Sequence, residues 1–502
     1  MNQDNNLYDI AVIGMAVMGK NLALNIADKG YKVAVYNRTT WKSYKAQEEN
    51  PEIHVSETLE DLVKHLKRPR KILIMVKSGA PVDKMINNLV PLLDEGDLLI
   101  DGGNSHFSDT QRRFEDLAEK NILFMGMGVS GGEEGARLGP ALMPGGSKKA
   151  YSLVEDILDA IAAKAKDGVA CQAYMGDGGA GHYVKMVHNG IEYADMEIIA
   201  ELVSLLKANG KDNLEIADIF SEWNQGELSS YLSEITIDIL REKDVDDPQE
   251  DYLYEDELDL DPEIKKAGAK VDSPYLLDQI LDLSEQKGTG KWTNEEGLEL
   301  YVDLSMLYSG LNARYISLEK DLRVKSSKVL PAGVAKEDEL SNLNIDTDEL
   351  AKAFLLARLI AYAQGFSLYR KASKTYGWNL DYKNIAATFR NGCIIRSYLL
   401  TPIMKAYEAD HDLENLLLAD IFKDTIKEGI APLRRLVNKA NLAGVAVPAF
   451  NSALSYYDAL RDERSQAALI TAQRDYFGAH TYRRTTDEGI YHHEWTDIED
   501  EA

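Results

Sequence analysis

Residues 8–30 leave few folds open to the chain. An apolar run over 8–13 meets the turn Gly14-Met-Ala-Val-Met-Gly19, and an amphipathic segment follows as far as Gly30. Strand, glycine turn and helix in that order make the first unit of a dinucleotide-binding sheet. Gly14 permits the tight turn and Gly19 lets the helix lie close on the strand, while Ala16 leaves room for a pyrophosphate at the helix N-terminus. A second strand over 32–36 then delivers Asn37, Arg38 and Thr39, where an NAD site would place an acid for the ribose 2′-hydroxyl. A guanidinium suits a 2′-phosphate instead, through paired charge-assisted hydrogen bonds, so NADP is the expected cofactor.

Further strand-like runs at 72–76, 98–100 and 122–125 extend the sheet. Each ends in something polar or glycine-rich: Lys77-Ser-Gly79, Asp101-Gly-Gly-Asn-Ser105 and Gly128-Val-Ser-Gly-Gly-Glu-Glu-Gly135. Such loops gather at the carboxyl ends of parallel strands, where doubly wound sheets bind ligands. Ser130, Gly131 and Gly132 can offer a hydroxyl and backbone N–H groups to a carboxylate. From Gly178 onward the apolar spacing becomes helical. Within the first helix, Lys185, His188, Asn189 and Glu192 stand at i, i+3, i+4 and i+7, one face, with Val184, Val187, Ile191 and Ile198 opposite. That polar face carries a base, an acid and two hydrogen-bonding groups within two turns; the bland alternative is an ordinary solvated face.

At 502 residues the chain exceeds one typical core. The expected division is a nucleotide-binding domain over 1–177, an all-helical substrate and dimerisation domain over 178–462, and a tail over 463–502. Inside the helical part there is an echo: Ile216-Ala217 leads through Trp223-Asn-Gln-Gly226 to Ser230-Tyr-Leu232, and Ile385-Ala386 through Phe389-Arg-Asn-Gly392 to Ser397-Tyr-Leu399. A duplicated helical unit would produce this. Between the copies, residues 244–261 hold ten Asp or Glu in eighteen positions, in a pattern unlike a calcium loop and suited to a solvated excursion. Lys287, flanked by Gly288 and Gly290, and Arg314 are basic points within helical sequence.

The formal charge of −27 argues against nucleic acid or an anionic membrane as partner and requires a local basic pocket for an anionic substrate. No apolar run is long enough to span a bilayer, and the first residues lack a signal-peptide layout. With only Cys171 and Cys393 there is no disulfide framework, so a cytoplasmic, reducing setting is expected. No Asp/His cluster with metal-ligand spacing is apparent, and no metal is expected.

These motifs resemble the decarboxylating 6-phosphogluconate dehydrogenase family. The resemblance rests on Gly14-Met-Ala-Val-Met-Gly19, Asn37-Arg-Thr39, Asp101-Gly-Gly-Asn-Ser105, Val129-Ser-Gly-Gly-Glu-Glu-Gly-Ala-Arg137 and Lys185-Met-Val-His-Asn-Gly-Ile-Glu-Tyr193. It continues in Lys287-Gly-Thr-Gly-Lys-Trp292, Gly392-Cys-Ile-Ile-Arg-Ser397 and Arg474-Asp-Tyr-Phe-Gly-Ala-His480. It implies a Rossmann-type α/β domain, a large duplicated all-α domain and a tail, assembled as a homodimer in the pentose phosphate pathway of the cytosol. Substrate contacts are implied from Asn104, Ser130, Gly131, Gly132, Lys185, His188, Asn189, Glu192, Tyr193, Lys287, Thr289 and Arg314, with Arg474 and His480 from a second subunit. The nucleotide would meet Gly14, Met15, Ala16, Val17, Met18, Gly19, Asn37, Arg38, Thr39, Val76, Lys77, Ser78 and Asn104. Two departures stand out: the acidic stretch is longer than the family usually shows, and Asn391 replaces a common Gly, which bears only on local helix packing.

The implied reaction oxidises 6-phospho-D-gluconate at C3, releases CO2 and yields ribulose 5-phosphate and NADPH. Removing a hydride from C3 needs a base on its hydroxyl, and Lys185 can serve only when neutral, with its pKa depressed by burial or nearby cations. Protonated Lys185 would then polarise the new carbonyl, and Glu192 would protonate the enediol if its own pKa is raised. A non-decarboxylating β-hydroxyacid dehydrogenase, or a catalytically silent NADP-binding interaction protein, are the alternatives; Lys287, Arg314, Arg474 and His480 speak against the first, and an intact Lys185 and Glu192 against the second.

Overall fold

The computed structural model describes residues 7–244, 272–331, 333 and 346–495, and the acidic run is outside them but for Asp244. The chain forms two compact units, Met1–Ala453 and Leu454–Ala502.

The first unit begins with a seven-stranded sheet. Its strands are β1 (Ile10–Ile13), β2 (Val33–Tyr36), β3 (His54–Val55), β4 (Lys71–Ile74), β5 (Leu98–Asp101), β6 (Leu123–Ser130) and β7 (Ala141–Gly146), in the order β3-β2-β1-β4-β5-β6-β7. All neighbours are parallel except β6 and β7. Alternate residues of each strand enter separate cores: Ile10, Val12, Val33 and Val35 on one face, Ala11, Ile13, Ala34 and Ile72 on the other. Period-2 side-chain direction with helices on both faces explains why these strands read as unbroken apolar runs.

The sheet departs from the sequence expectation at its end. Residues 128–130 were expected in a loop, yet β6 continues through them, buried and paired with β7 (Gly128 opposite Met143, Ser130 opposite Ala141). Neither β3, two residues long, nor β7, interrupted by Pro144 and two glycines, carries a recognisable strand pattern.

A 29-residue helix, Ala180–Ala208, follows the sheet and forms the spine of the helical region. It packs directly on backbone: a Cβ at Gly181 would lie 2.4 Å from the carbonyl oxygens of Gly126 and Met143, and one at Gly128 2.4 Å from Lys185 Cβ. Glycine on both partners brings the lysine down onto the sheet. The helix is consequently buried over most of its surface, and on its polar face Lys185 and His188 are buried while Asn189 and Glu192 are half-buried.

The sequence echo has a structural counterpart. Helices Ala180–Ala208, Asn213–Trp223 and Tyr231–Arg241 recur in kind as Thr347–Tyr376, Tyr382–Thr388 and Leu400–Ala409. The repeated Ser-Tyr-Leu turns meet each other: Ser230 and Ser397 form an antiparallel bridge, with Tyr231 N–H donating to Arg396 O at 2.9 Å and Tyr398 N–H to Ser229 O at 2.8 Å. A buried ion pair between Asp195 and Arg358 (2.7 Å) ties the two long helices together, and the guanidinium also donates to Leu228 O and Ser230 Oγ. Among the described residues, no helix is long and apolar enough to cross a membrane.

The second unit centres on the helix Ala467–Gly478, followed by a short backbone pairing of Tyr482 with Tyr491.

Candidate active site

The nucleotide side is built from backbone. Gly14 has φ +97°, and a Cβ there would lie 2.3 Å from Met75 O; one on Gly19 would lie 1.9 Å from Gly14 O. The turn therefore tolerates no side chain at positions 14 and 19, where it packs on its own backbone and on Met75, and the helix Val17–Asp28 opens with Ala16 at its N-cap and no side chain capping it. Asn37 Oδ1 accepts from Met15 N–H at 3.0 Å, and its Nδ2 donates to Thr39 O at 3.0 Å, stitching the end of β2 to the turn. Arg38 and Thr39 project into solvent, with no acid at the strand end. Val76, Lys77 and Ser78 follow β4, with Lys77 exposed. The next loop hangs from Asp101, which sequence reasoning left unassigned. Its buried carboxylate accepts from Gly103 N–H (3.1 Å), Ser105 Oγ (2.6 Å) and Arg113 (3.2 Å), and Asn104 stands exposed at the tip.

The other side is a chain of directed hydrogen bonds on the central helix. Lys185 Nζ donates to Ser130 Oγ at 3.1 Å, and Ser130 Oγ lies 3.3 Å from His188 Nε2. His188 Nδ1 is 3.0 Å from Asn189 Oδ1, and Asn189 Nδ2 donates to Thr289 Oγ1 at 2.9 Å. One proton arrangement satisfies this series: Ser130 O–H donates to a neutral imidazole whose Nδ1–H donates to the Asn189 carbonyl, and Lys185 Nζ, 3.4 Å from the same Nδ1, does not then donate to it. Burial first, and then the neighbouring Lys185 when charged, push the His188 pKa far below its usual value, which favours a neutral imidazole. Phe389, another residue the sequence did not single out, meets the imidazole edge-on at 5.0 Å. Its only sequence signal was membership of the echo.

Lys185 and Glu192 are displaced toward their neutral forms. Burial lowers the Lys185 pKa, against an opposing pull from the Glu192 charge, and burial raises that of Glu192 despite Lys185 and Arg314. Of the two depressing causes considered for Lys185, burial is therefore the operative one. An amine and a carboxyl within two turns, each shifted toward its neutral form, are suited to proton transfer in both directions.

Beyond Glu192 the site becomes cationic. The Arg314 guanidinium lies 3.6 Å from the Tyr193 ring centre and donates to Glu285 O at 3.0 Å. Gly288, with φ +101°, opens the helix Thr289–Glu299, leaving Lys287 exposed just before it. Gly131 and Gly132, both at positive φ, turn the chain from Ser130 into the helix Gly132–Leu138, with Gly131 packed against Gly392 O. Contacts thus join Ser130, Lys185, His188, Asn189, Glu192, Tyr193, Thr289 and Arg314, while Asn104 is not in that series. Arg474 and His480 belong to the second unit, both exposed. Asn391 lies in a turn, not a helix: its amide donates to Lys164 O and its carbonyl accepts from Gly392 N–H. One group of potential metal ligands was missed, His54, Asp61 and His65. It sits on β3 and the helix after it, which carry no candidate site residue, and His65 Nδ1 already pairs with Asp61 O at 2.8 Å.

A doubly wound nucleotide domain feeding a helix with a buried lysine whose pKa is lowered defines a dinucleotide-dependent oxidoreductase. Residues 9–176 match the family model described as the NAD binding domain of 6-phosphogluconate dehydrogenase, and residues 181–495 match that of the 6-phosphogluconate dehydrogenase C-terminal domain. A "6-phosphogluconate dehydrogenase, decarboxylating" from Lactococcus lactis is 50% identical over 97% of this chain and 98% of its own. Its counterpart from Escherichia coli K12 is 47% identical over 97% and 99%. Among solved structures, a Plasmodium falciparum 6-phosphogluconate dehydrogenase, determined in its apo form and with NADP+ and 6-phosphogluconate, superimposes with a TM-score of 0.88 at 39% identity, covering 97% of this chain and 100% of that one. The chain belongs to the 6-phosphogluconate dehydrogenase family.

Proposed function

We propose that the chain converts 6-phospho-D-gluconate and NADP+ to D-ribulose 5-phosphate, CO2 and NADPH, the oxidative decarboxylation step of the pentose phosphate pathway, in the cytoplasm. The observation that carries the mechanism is the buried Lys185 and Glu192, each shifted toward its neutral form.

The nucleotide fits the residues present: Gly14 and Gly19 leave no room for a Cβ in the turn, and Arg38 lies just past β2, where no acid competes for a 2′-phosphate. When bound, it accepts the hydride from C3. Neutral Lys185 takes the C3 hydroxyl proton at Nζ, and the resulting ammonium faces the new C3 carbonyl oxygen. Electron density from the breaking C1–C2 bond flows toward that oxygen as CO2 leaves, and Lys185 stabilises the charge there. Protonated Glu192 then delivers a proton to the carbon that becomes C1 of the product. Ser130 and the Gly131 and Gly132 amides hold the substrate carboxylate, while His188 and Asn189 keep the C3 region in register. Tyr193, Lys287, Thr289 and Arg314 receive the phosphate.

The active form is a homodimer in which Arg474 and His480 of one tail complete the other subunit's phosphate site. The tail's exposed Leu469, Ile470, Tyr476, Phe477 and Ile490 support this, since such apolar surface needs a covering partner. NADPH absorbance and CO2 release followed together test the reaction: NADPH without CO2 identifies a non-decarboxylating dehydrogenase, and neither product excludes the assignment. Subunit exchange between Lys185→Met and Arg474→Ala tests the shared site. One pocket of the mixed dimer then carries both lesions and the other neither, so activity returns; verified mixed dimers without activity place Arg474 in its own chain's chemistry.

A further inference from the structure

After Leu460, the only buried residue among the described ones is a charged one, Asp475, on the helix Ala467–Gly478. Each of its carboxylate oxygens accepts two hydrogen bonds. Oδ1 takes Thr481 N–H at 2.9 Å and His492 Nδ1 at 2.9 Å, and Oδ2 takes His493 N–H at 3.0 Å and Trp495 Nε1–H at 2.8 Å. Burial alone would raise its pKa; these donors outweigh burial and hold the carboxyl below its ordinary range.

The contacts are spaced to shape one turn. Ala479 and Thr481 both have left-handed backbones, φ +48° and +65°, and His480 lies between them. Thr481 is β-branched, a side-chain type that avoids this region and adopts it only when its surroundings impose it. The imposing contact is the Asp475 carboxylate on the Thr481 amide. The return strand is held in the same way, because Tyr482 and Tyr491 exchange backbone hydrogen bonds at 2.7 and 2.8 Å and so bring His492, His493 and Trp495 back to Asp475. Arg474 precedes Asp475 on the helix, and both it and His480 face solvent while the carboxylate is enclosed.

We propose that Asp475 is a positioning residue for the substrate: its buried carboxylate fixes the strained Ala479–Thr481 turn, so that His480 is presented with Arg474 as a preformed anion clamp. This rests on the proposed role of the tail in a partner's phosphate site. An apolar core could hold the helix equally well. It would not hold Thr481 at positive φ, which needs an acceptor aimed at that one N–H.

The test uses the intact dimer and separates KM from kcat. Asp475→Asn keeps the shape but replaces two acceptor positions with donors, so KM for 6-phosphogluconate should rise about tenfold, with kcat and KM for NADP changed less than about threefold. Thr481→Gly alone should be close to wild type, because glycine adopts φ +65° without strain. Added to Asp475→Asn, it should recover a large part of the lost KM. A double variant no better than Asp475→Asn, or equal losses for substrate and NADP, would show that Asp475 serves only tail folding and overturn the proposal. Should Asp475→Asn fail to give dimer, Trp495→Phe removes a single donor and should raise KM for 6-phosphogluconate about twofold; an unchanged KM in that folded dimer overturns it equally. Arg474→Ala measured alongside distinguishes the two ideas. If it leaves KM for 6-phosphogluconate untouched, the tail reading itself is wrong; if it raises KM while Asp475→Asn does not, only the positioning role fails.

Discussion

The two halves of the site are preformed by opposite means. On the substrate side, Lys185, His188 and Ser130 are buried and joined by side-chain hydrogen bonds. On the nucleotide side, the rigid part is a backbone turn, and the side chains expected to meet the nucleotide, Arg38, Lys77 and Asn104, lie exposed. The difference follows from the chemistry each must support. Proton transfer at neutral pH is helped by pKa values moved from their aqueous positions, and at Lys185 and Glu192 burial is the largest cause of that movement. Holding a phosphate needs permanent cations, which lose solvation when buried and therefore stand best at the surface. Mutations on the two sides should accordingly fail in different parameters, turnover on one and affinity on the other.

The largest effect is expected from Lys185→Met, which removes the proposed base while preserving an unbranched chain. Turnover should fall by roughly three orders of magnitude or more, the upper range for a lost acid–base group. NADP affinity, measured by quenching of intrinsic fluorescence, should stay within about threefold of wild type. A matching loss of NADP binding would mean that the two halves are not separable.

Glu192→Gln should follow, with a loss of about a hundredfold in turnover and a distinctive pH profile. In the proposed mechanism Lys185 works neutral, so activity rises as pH climbs through its lowered pKa, and Glu192 works protonated, so activity falls as pH climbs through its raised one. The glutamine variant should lose the alkaline limb. Its acid limb should stay in place, because Glu192 is already protonated, and so carries no charge, on that side of the optimum. An alkaline limb unchanged in Glu192→Gln would assign that ionisation to another group.

The same contrast explains what the sequence made legible. The sheet's central strands and the Gly14–Gly19 turn follow from local rules of period, glycine placement and helix stop. The helical spacing placed Lys185, His188, Asn189 and Glu192 on one face, but it could not show that this face is enclosed. Enclosure comes from Gly126, Gly128 and Gly145 in β6 and β7, which let the helix settle on backbone far away in sequence. Gly128 looked like part of a loop for the same reason, since glycine in a strand weakens its signal. Asp101 and Phe389 were hidden differently. Each acts through partners whose positions only the tertiary fold defines, Gly103, Ser105 and Arg113 for one and His188 for the other.

On the nucleotide side, Arg38→Asp should raise KM for NADP about a hundredfold and leave KM for NAD within about threefold, since only the 2′-phosphate distinguishes the two. Equal losses would show that Arg38 supports the loop and does not read the phosphate.

The smallest effect separates the turn from the specificity contact beside it. Asn37 is one residue from Arg38 but aims its amide inward, to Met15 N–H and Thr39 O. Asn37→Ala removes two hydrogen bonds from a partly exposed site where water can replace them, a loss of about 1 kcal/mol. That loosens the Gly14–Gly19 cradle, which NAD and NADP would share, so KM should rise about fivefold for both. kcat should hold, because the Lys185 series contains no contact with Asn37. The ratio of the two cofactor effects is the decisive number. Near one, Asn37 shapes the pyrophosphate turn and backbone preformation is the rule on this side; a loss confined to NADP would put Asn37 with Arg38 in reading the 2′-phosphate, and the division between rigid backbone and exposed cations would have to be redrawn.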